Sequence, residues 1–518
     1  MQNDQSRRDF LKFLGYGSLT LTQLSLLQSC STAITQDKKF PSKMDELVLA
    51  NGLSYYPLIS WGDKINHKEV FGFNNDYINI DYLNEKELIM WVNHEYVNPI
   101  FVSSPERTKK NVDIEKQLVG GSLIHLKKEN NKWNLVANSS YNKGVRGTTK
   151  IPFANNKSIK GSKIVEGTLA NCAGGKTPWN TFLTCEENYD TFYGERDLAT
   201  NKINTKRSYL NWEKFYPKNL PEHYGWVVEI DPKTAKAKKH TSMGRFAHES
   251  ATCVQSKKKK TVVYTGDDKN DEHLYKFVSH SDQNLDSGIL YVANIKKGQW
   301  IPLDLERSPE LKKYFKTQID VLTYPRKAAK ILGATALNRP EDIEIHPHTG
   351  DIFVALTNNK KRNDFHGSIL KISERNKDYT SEYFQSETYI FGGELTGFSC
   401  PDNLAFDKAG NLWITTDISG SAMNKAPYKK FGNNGLFVIM ASGQSAGKPI
   451  QVASAPNDAE LTGLCFDKNY QTLFLSVQHP GELSQDKNYP TSNWPTGKTP
   501  KPSVVAITGK LLTSITDA

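Results

Sequence analysis

This 518-residue chain lacks several things that would settle its class quickly. Leu14–Leu27, the apolar segment near the N-terminus, is too short and too mild for a stable membrane helix, which takes about 20 apolar residues. Long helical periodicity is scarce, with Pro309–Ile331 the clearest candidate, so an all-helical fold is excluded. There is no HExxH, no CxxC pair and no His-rich triad, which argues against a zinc site. No Walker loop occurs, which removes the P-loop class. No RNA- or DNA-binding motif accompanies the net charge of +10, so nucleic acid is not an expected partner. The lysine run Lys257–Lys260 sits between strand-like segments and reads as a solvated hairpin tip.

What is present begins with Ser6-Arg7-Arg8-Asp9-Phe10-Leu11-Lys12, which matches a twin-arginine export signal. Residues 1–29 are therefore expected to be a signal peptide handled by the twin-arginine machinery, and the mature protein to work outside the cytoplasm. Leu27-Gln28-Ser29-Cys30 resembles a lipoprotein cleavage box, with Cys30 as the candidate lipid attachment point; Gln28 is unusual there, so anchored and free forms both stand. Residues 30–44 read as a linker and 45–518 as one domain. Five cysteines follow Cys30, an odd number, so at least one thiol is unpaired within the chain. Cys253 and Cys465 lie in apolar runs and read as core. Cys172 lies instead in a Gly-rich polar stretch, either as a functional thiol or as a partner for Cys185.

The organising feature is a repeat. Glu341–Asn359, Asp402–Asp417 and Thr462–His479 align as strand, tight turn, strand, with starts about 60 residues apart. The turns carry explicit chemistry in His348-Thr349-Gly350, Lys408-Ala409-Gly410 and Lys468-Asn469. The same unit is legible at Asp76, at Asn171-Cys172 and at Glu249. Six units predict an all-β, six-bladed β-propeller, with insertions around 96–165, 189–245 and 270–335.

In a propeller, equivalent positions of successive blades surround one axis. The residues opening the units are Asp76, Cys172, Glu249, Glu341, Asp402 and Thr462. Those closing the second strand are Asn93-His94-Glu95, Glu186-Glu187, Asp267-Asp268, Asn358-Asn359, Asp417 and His479. Nearly all are metal-ligand types, and so many carboxylates at one mouth would repel one another unless multivalent cations sat among them. Oxygen ligands suit Ca²⁺ or Mg²⁺, and a thiolate among them adds a softer or redox-capable ion such as iron. Asp231, Asp407 and Asp467 are read as turn caps rather than ligands. Arg339 and Glu341, two apart on one strand, share a face, either as a surface ion pair or as an anion-binding arginine beside a metal-binding acid.

These segments also carry a likeness. Asn171-Cys172-Ala173, Thr184-Cys185-Glu186-Glu187-Asn188, Ala247-His248-Glu249-Ser250, Gly266-Asp267-Asp268, Arg339-Pro340-Glu341-Asp342 and Cys400-Pro401-Asp402-Asn403 resemble the PhoX-type alkaline phosphatases, over roughly residues 45–485. The resemblance implies a six-bladed propeller with a mixed iron–calcium cluster (Fe³⁺ and Ca²⁺) that hydrolyses phosphomonoesters outside the cytoplasm, here as an expected monomer. It makes Cys172 the thiolate ligand of iron, and Glu249 with one of Glu186 or Glu187 carboxylate ligands. Glu341 becomes a calcium ligand and a catalytic residue beside Arg339, the phosphate clamp. Asp402, Asn403 and Asp417 are further metal ligands by the same likeness, with the inward-facing acid of that blade left open. The alternatives are a calcium-dependent lactonase or phytase-like hydrolase, which would need no thiol, and a binding propeller in which ions serve only stability.

Overall fold

Continuous apolar runs such as Leu88–Val92, Val262–Tyr264, Ile352–Ala355 and Leu473–Leu475 are buried almost completely, on both faces of their strands. A strand inside a blade has a neighbouring blade on each side, so it reads as unbroken hydrophobic sequence rather than as alternation. The computed structural model describes residues 34–517 and has this arrangement. The twin-arginine motif and Cys30 lie outside the described residues.

The six expected units are six antiparallel blades. Their innermost strands are Asn75–Asn84, Asn171–Lys176, His248–Gln255, Pro340–Ile345, Pro401–Phe406 and Glu460–Phe466. Each touches the next, and the sixth returns to the first, which closes the ring. Closure is completed from the chain's early residues: Ser54–Ser60 forms the outermost strand of blade six, against Ser503–Thr508. Val48–Leu49 adds a strand to blade five. Residues 35–518 form one compact unit.

Three expectations need correction. The stretch 30–44 is not a free linker over its described part, because Phe40 and Ser42 are buried and the Ser42 carbonyl accepts from the Asn433 amide. The supposed insertions contain outer strands of their own blades, among them Gly120–Glu129, Val227–Ile230 and Leu274–Ser279. What is inserted is smaller: short helices and two short two-stranded pairs. Pro309–Ile331 is broken into a 3₁₀ turn and two short helices, Gln318–Thr323 and Pro325–Ile331, because Pro325 starts a new helix.

Between blades the core is aliphatic and aromatic, with Trp91, Trp133, Trp300 and Trp413 fully buried. Each such side chain contributes about 1.5–3 kcal/mol by burial. The inter-strand turns are capped as expected: Asp407 Oδ1 accepts from the amides of Ala409 and Asn411, and Asp467 Oδ1 from those of Gln471 and Thr472. Lys257–Lys260 forms a hairpin tip, with Lys258 reaching Asp378 of the next blade at 2.8 Å.

Candidate metal centre

All six inner strands carry a one-residue bulge near the same end. Pairing with the second strand slips between Asn75 and Ile78, Asn171 and Gly174, Glu249 and Thr252, Pro340 and Ile343, Pro401 and Leu404, and Thr462 and Cys465. A bulge re-aims side chains at the rim of a sheet, and here the six rims meet around the channel. In four blades a left-handed residue, Asn74, Ala170, Arg339 or Cys400, stands two positions before Asp76, Cys172, Glu341 or Asp402. In the other two it is Ser250 or Gly463, directly after Glu249 and Thr462. The openers are therefore not strictly equivalent: by the bulge, Ser250 matches Cys172 and Glu249 stands one residue earlier. Gly463 combines φ of +62° with a close approach, since a Cβ there would lie 2.5 Å from the Asp76 carbonyl.

Cys172 is the shared member of two groups. Asp76, Glu95 and Cys172 bring one donor atom each within 4.8 Å of one another, and so do Cys172, Glu187 and Glu249. The Cys172 sulfur lies 2.7 Å from Glu249 Oε1 and 3.2 Å from Asp76 Oδ2. It forms no disulfide; Cys185 is a separate buried thiol. The backbone is pinned behind it, because Asn93 Nδ2 donates to the carbonyls of Cys172 (2.6 Å) and Ala173 (2.9 Å). Gln478 Nε2 donates to Glu95 Oε2 (2.8 Å) and Asp76 Oδ2 (3.3 Å), and Asn188 Nδ2 to Glu187 Oε2 (2.5 Å).

The far side of the mouth is built on Arg339. Its Nε and Nη2 grip the two Asp268 oxygens at 2.8 and 3.0 Å. Glu341 Oε1 lies 2.7 Å from Nη2, and Asp417 Oδ2 lies 3.4 Å from Nη1. Thr357 Oγ1 donates to Glu341 Oε1 at 2.9 Å. Asp402, which feels the charge of Glu460, and Glu460, which feels that of Asp417, complete this side, and His479 Nε2 lies 3.4 Å from Glu460 Oε1.

Two nominated residues are placed elsewhere. Glu186 faces away from the channel: Lys239 Nζ lies 2.6 Å from its Oε1, which Thr168 Oγ1 also approaches at 2.9 Å, and the Trp226 amide donates to Oε2. Of the adjacent pair, Glu187 is the one beside Cys172. Asn403 is a brace, since its Oδ1 accepts from the Gly463 amide at 2.8 Å and its Nδ2 reaches Asp402 at 3.3 Å. In the closing set, Asp267 is gripped by Arg326 rather than turned to the mouth. Cys253 and Cys465 are half-buried beside the core rather than within it. Sequence reading aligned Asp76, Glu95 and Asp268 at the mouth without nominating them. It missed Glu460 and Gln478, which lie off the aligned positions.

The electrostatics are those of acids without enough cations. Burial pushes Asp76 up to about 7. Glu249 is pushed well above the ordinary range, by burial first and then by Glu341 and Glu187. Burial also raises Glu187, Glu95, Glu341, Asp402 and Glu460. The Cys172 thiol is raised by burial and by the surrounding acids. Asp268 is the exception: burial would raise it, but the Arg339 guanidinium outweighs burial and holds it near 2. Glu187 Oε1 and Glu249 Oε2 are buried and accept no hydrogen bond. Buried acceptors normally find donors. A thiol and carboxylate oxygens, two of them unsatisfied, form a donor set that fits an iron ion beside harder divalent cations.

Fold and site together define a propeller enzyme organised around a metal-binding channel mouth. The family model for Alkaline phosphatase PhoX matches residues 32–481. The chain belongs to the PhoX alkaline phosphatase family. Among solved structures, PhoX from Pseudomonas fluorescens in complex with vanadate, a transition state analogue, superimposes with a TM-score of 0.82 at 28% identity, over 92% of this chain and 98% of that one. A protein of unknown function from Dyadobacter fermentans (TM-score 0.42, 8% identity, 89% and 100% covered) and a gluconolactonase from Xanthomonas campestris (0.34, 8%, 88% and 98%) are more distant. None of the curated protein sequences matches.

Proposed function

We propose that this protein is an extracytoplasmic alkaline phosphatase that hydrolyses phosphomonoesters to an alcohol and inorganic phosphate, using iron and calcium held at the propeller mouth. The observation that carries the reading is the position of Cys172 in both donor groups, with unsatisfied carboxylate oxygens around it. The Pseudomonas fluorescens protein, solved with vanadate as a transition state analogue, supports phosphoryl chemistry on this fold. Cys172, Glu187, Glu249, Asp76 and Glu95 would hold iron and its neighbours; Glu341, Asp402, Asp417 and Glu460 offer oxygen ligands for calcium. When bound, these ions polarise phosphoryl oxygens and offset the charge that builds in the transition state.

The chain's own residues then have defined work. Asp268 fixes the Arg339 guanidinium through two parallel contacts, and Nη1, whose nearest acceptor stands at 3.4 Å, is left to hold a phosphate oxygen. Such prior orientation removes a reorganisation cost at the moment of reaction. Glu341, held by Thr357 and Arg339, sets the position of the arginine beside the acids. Cys172 is committed between two carboxylates, so no protein nucleophile is invoked. Location is read from the sequence: the Ser6–Lys12 motif supports twin-arginine export and Cys30 offers a lipid anchor; a monomer is the working unit of this proposal.

The test pairs metal analysis with a phosphomonoester assay on purified protein before chelation, after it, and after each ion is restored. Iron and calcium in the active protein, with activity lost on chelation and regained only with both, is the expected result. Full activity with calcium alone would favour a calcium-only propeller hydrolase.

A further inference from the structure

Beside Arg339 the mouth opens into a cavity of about 390 Å³, within the range of small-molecule pockets. Arg339 and Asp417 form its inner wall; Lys360, Lys361, Asn270, Asn358 and Tyr428 line the rest. This flank differs in charge from the mouth it adjoins. Arg362, the next residue, is paired with Asp271 at 2.5 Å. Lys360 and Lys361 are exposed and have no carboxylate partner among the described residues. The Lys360 ammonium sits 5.6 Å above the Tyr428 ring. Tyr428 is only 2% exposed, and its hydroxyl, beside the Cys400 thiol that also lines the cavity, has no oxygen or nitrogen partner. Two free ammonium groups repel metal ions, so this flank does not extend the metal centre. They and an unused buried hydroxyl suit an anion.

We propose that this cavity receives the alcohol part of the ester, and that Lys360, Lys361 and Tyr428 select alcohols carrying a second anionic group, a phosphate or a carboxylate. The proposal rests on the phosphatase reading above, with the scissile phosphate against Arg339. A neutral alcohol gains nothing from the two lysines, whereas an anion one short chain away reaches them and the Tyr428 hydroxyl. Lysine suits this task because it acts as a mobile point charge for anions of differing shape.

Three esters of one chain length separate the cases: n-butyl phosphate, 4-phosphooxybutanoate and 1,4-butanediol bisphosphate. With the metal-loaded enzyme, kcat/KM for the two charged esters should exceed that for butyl phosphate by about tenfold, chiefly through KM, one such factor being the usual scale of a charged contact. That ratio should shrink as salt is raised, because exposed charges are screened. In K360A/K361A it should fall to about one, and in Y428F by a smaller factor. Equal kcat/KM for all three esters in the unaltered enzyme, or a ratio that survives K360A/K361A, overturns the pocket while leaving the phosphatase reading intact. Failure to hydrolyse any of the three overturns both.

Discussion

Glu186 and Glu187 are neighbours in sequence, are both buried, and are chemically identical, yet they live in opposite circumstances. Glu186 points into the body of blade two, where Lys239, Thr168 and a backbone amide use up its oxygens. Glu187 points to the channel, where it meets Cys172 and Glu249 and has one oxygen without a donor. The first acid is neutralised by the chain itself. The second belongs to a group that Arg339 and Lys269 only partly neutralise and that needs cations from outside. Glu186 is the last residue of strand Phe182–Glu186 and Glu187 the first beyond it, so two adjacent letters at the strand's end divide scaffold from site.

The sharpest way to break this contrast is to remove the shared thiol. Cys172→Ser keeps the shape but is a much poorer ligand for iron. It is expected to lose the visible thiolate-to-iron colour, most of the iron and about 100-fold or more of the activity, while retaining its β-sheet spectrum. Full iron and full turnover in that variant would make the thiol structural.

The two glutamates are expected to fail differently. Glu186→Gln strands a buried Lys239 and should cost about 3–5 kcal/mol of stability, with the metal content of the folded fraction unchanged. Glu187→Gln should lose bound metal and activity with little loss of stability in chelated protein. Denaturant melts and metal analysis on both variants score this, and the same outcome for both would erase the distinction.

The two regions should also answer pH with opposite signs. Chelated protein holds carboxyls at the mouth whose folded pKa values are raised, Asp76 to about 7. Their contribution is present in full below the unfolded value of about 4 and is lost as pH rises through 7, by up to about 1.4 kcal/mol per pH unit for each such group. Restored metal should abolish that loss, since bound ligands stay ionised. Glu222 behaves in the reverse sense: burial would raise it, but Arg196 holds it near 2. Its contribution is present above about 4.5 and is lost as pH falls through 2. Thermal midpoints against pH, with and without metal, would show both limbs. A flat alkaline limb in chelated protein would mean the mouth acids are relieved in some other way.

The smallest effect is expected at the half-buried thiols. Cys253→Ser and Cys465→Ser should each cost about 1 kcal/mol, at the low end for a partly buried hydroxyl, and leave iron in place. Iron loss from either, read by metal analysis, would extend the site down the channel.

Much of this was legible because the same rim structure recurs. The units starting at Asp402 and Thr462 display their period openly, and the apolar second strands announce burial on both faces. The closing strand Ser54–Ser60 was not legible, because its partner Ser503–Thr508 lies at the other end of the chain and its Pro57 breaks a clean strand pattern, as an outer strand tolerates. At the mouth, alignment found the acids but not their directions. Asn403 was misplaced, and Glu249 stands one residue out of register, because facing depends on where a bulge falls; the choice between Glu186 and Glu187 stayed open until their partners were seen. Glu460 escaped because it precedes its unit's aligned residue by two.

The way the ring closes has a consequence for how the protein is made. Strand Ser54–Ser60 cannot find its place until Ser503–Thr508 has been synthesised, and blade six is incomplete until then. The grouped donors around Cys172 come from blades one to three, Asp76 to Glu249, and Glu341, Asp402 and Glu460 from the other three, so the full mouth exists only in the closed ring. Contacts of such sequence separation form slowly. A nascent chain that has not yet exposed Ser503–Thr508 therefore lacks its closing strand, and loading of the full mouth waits until the circle is completed, in whichever compartment that happens.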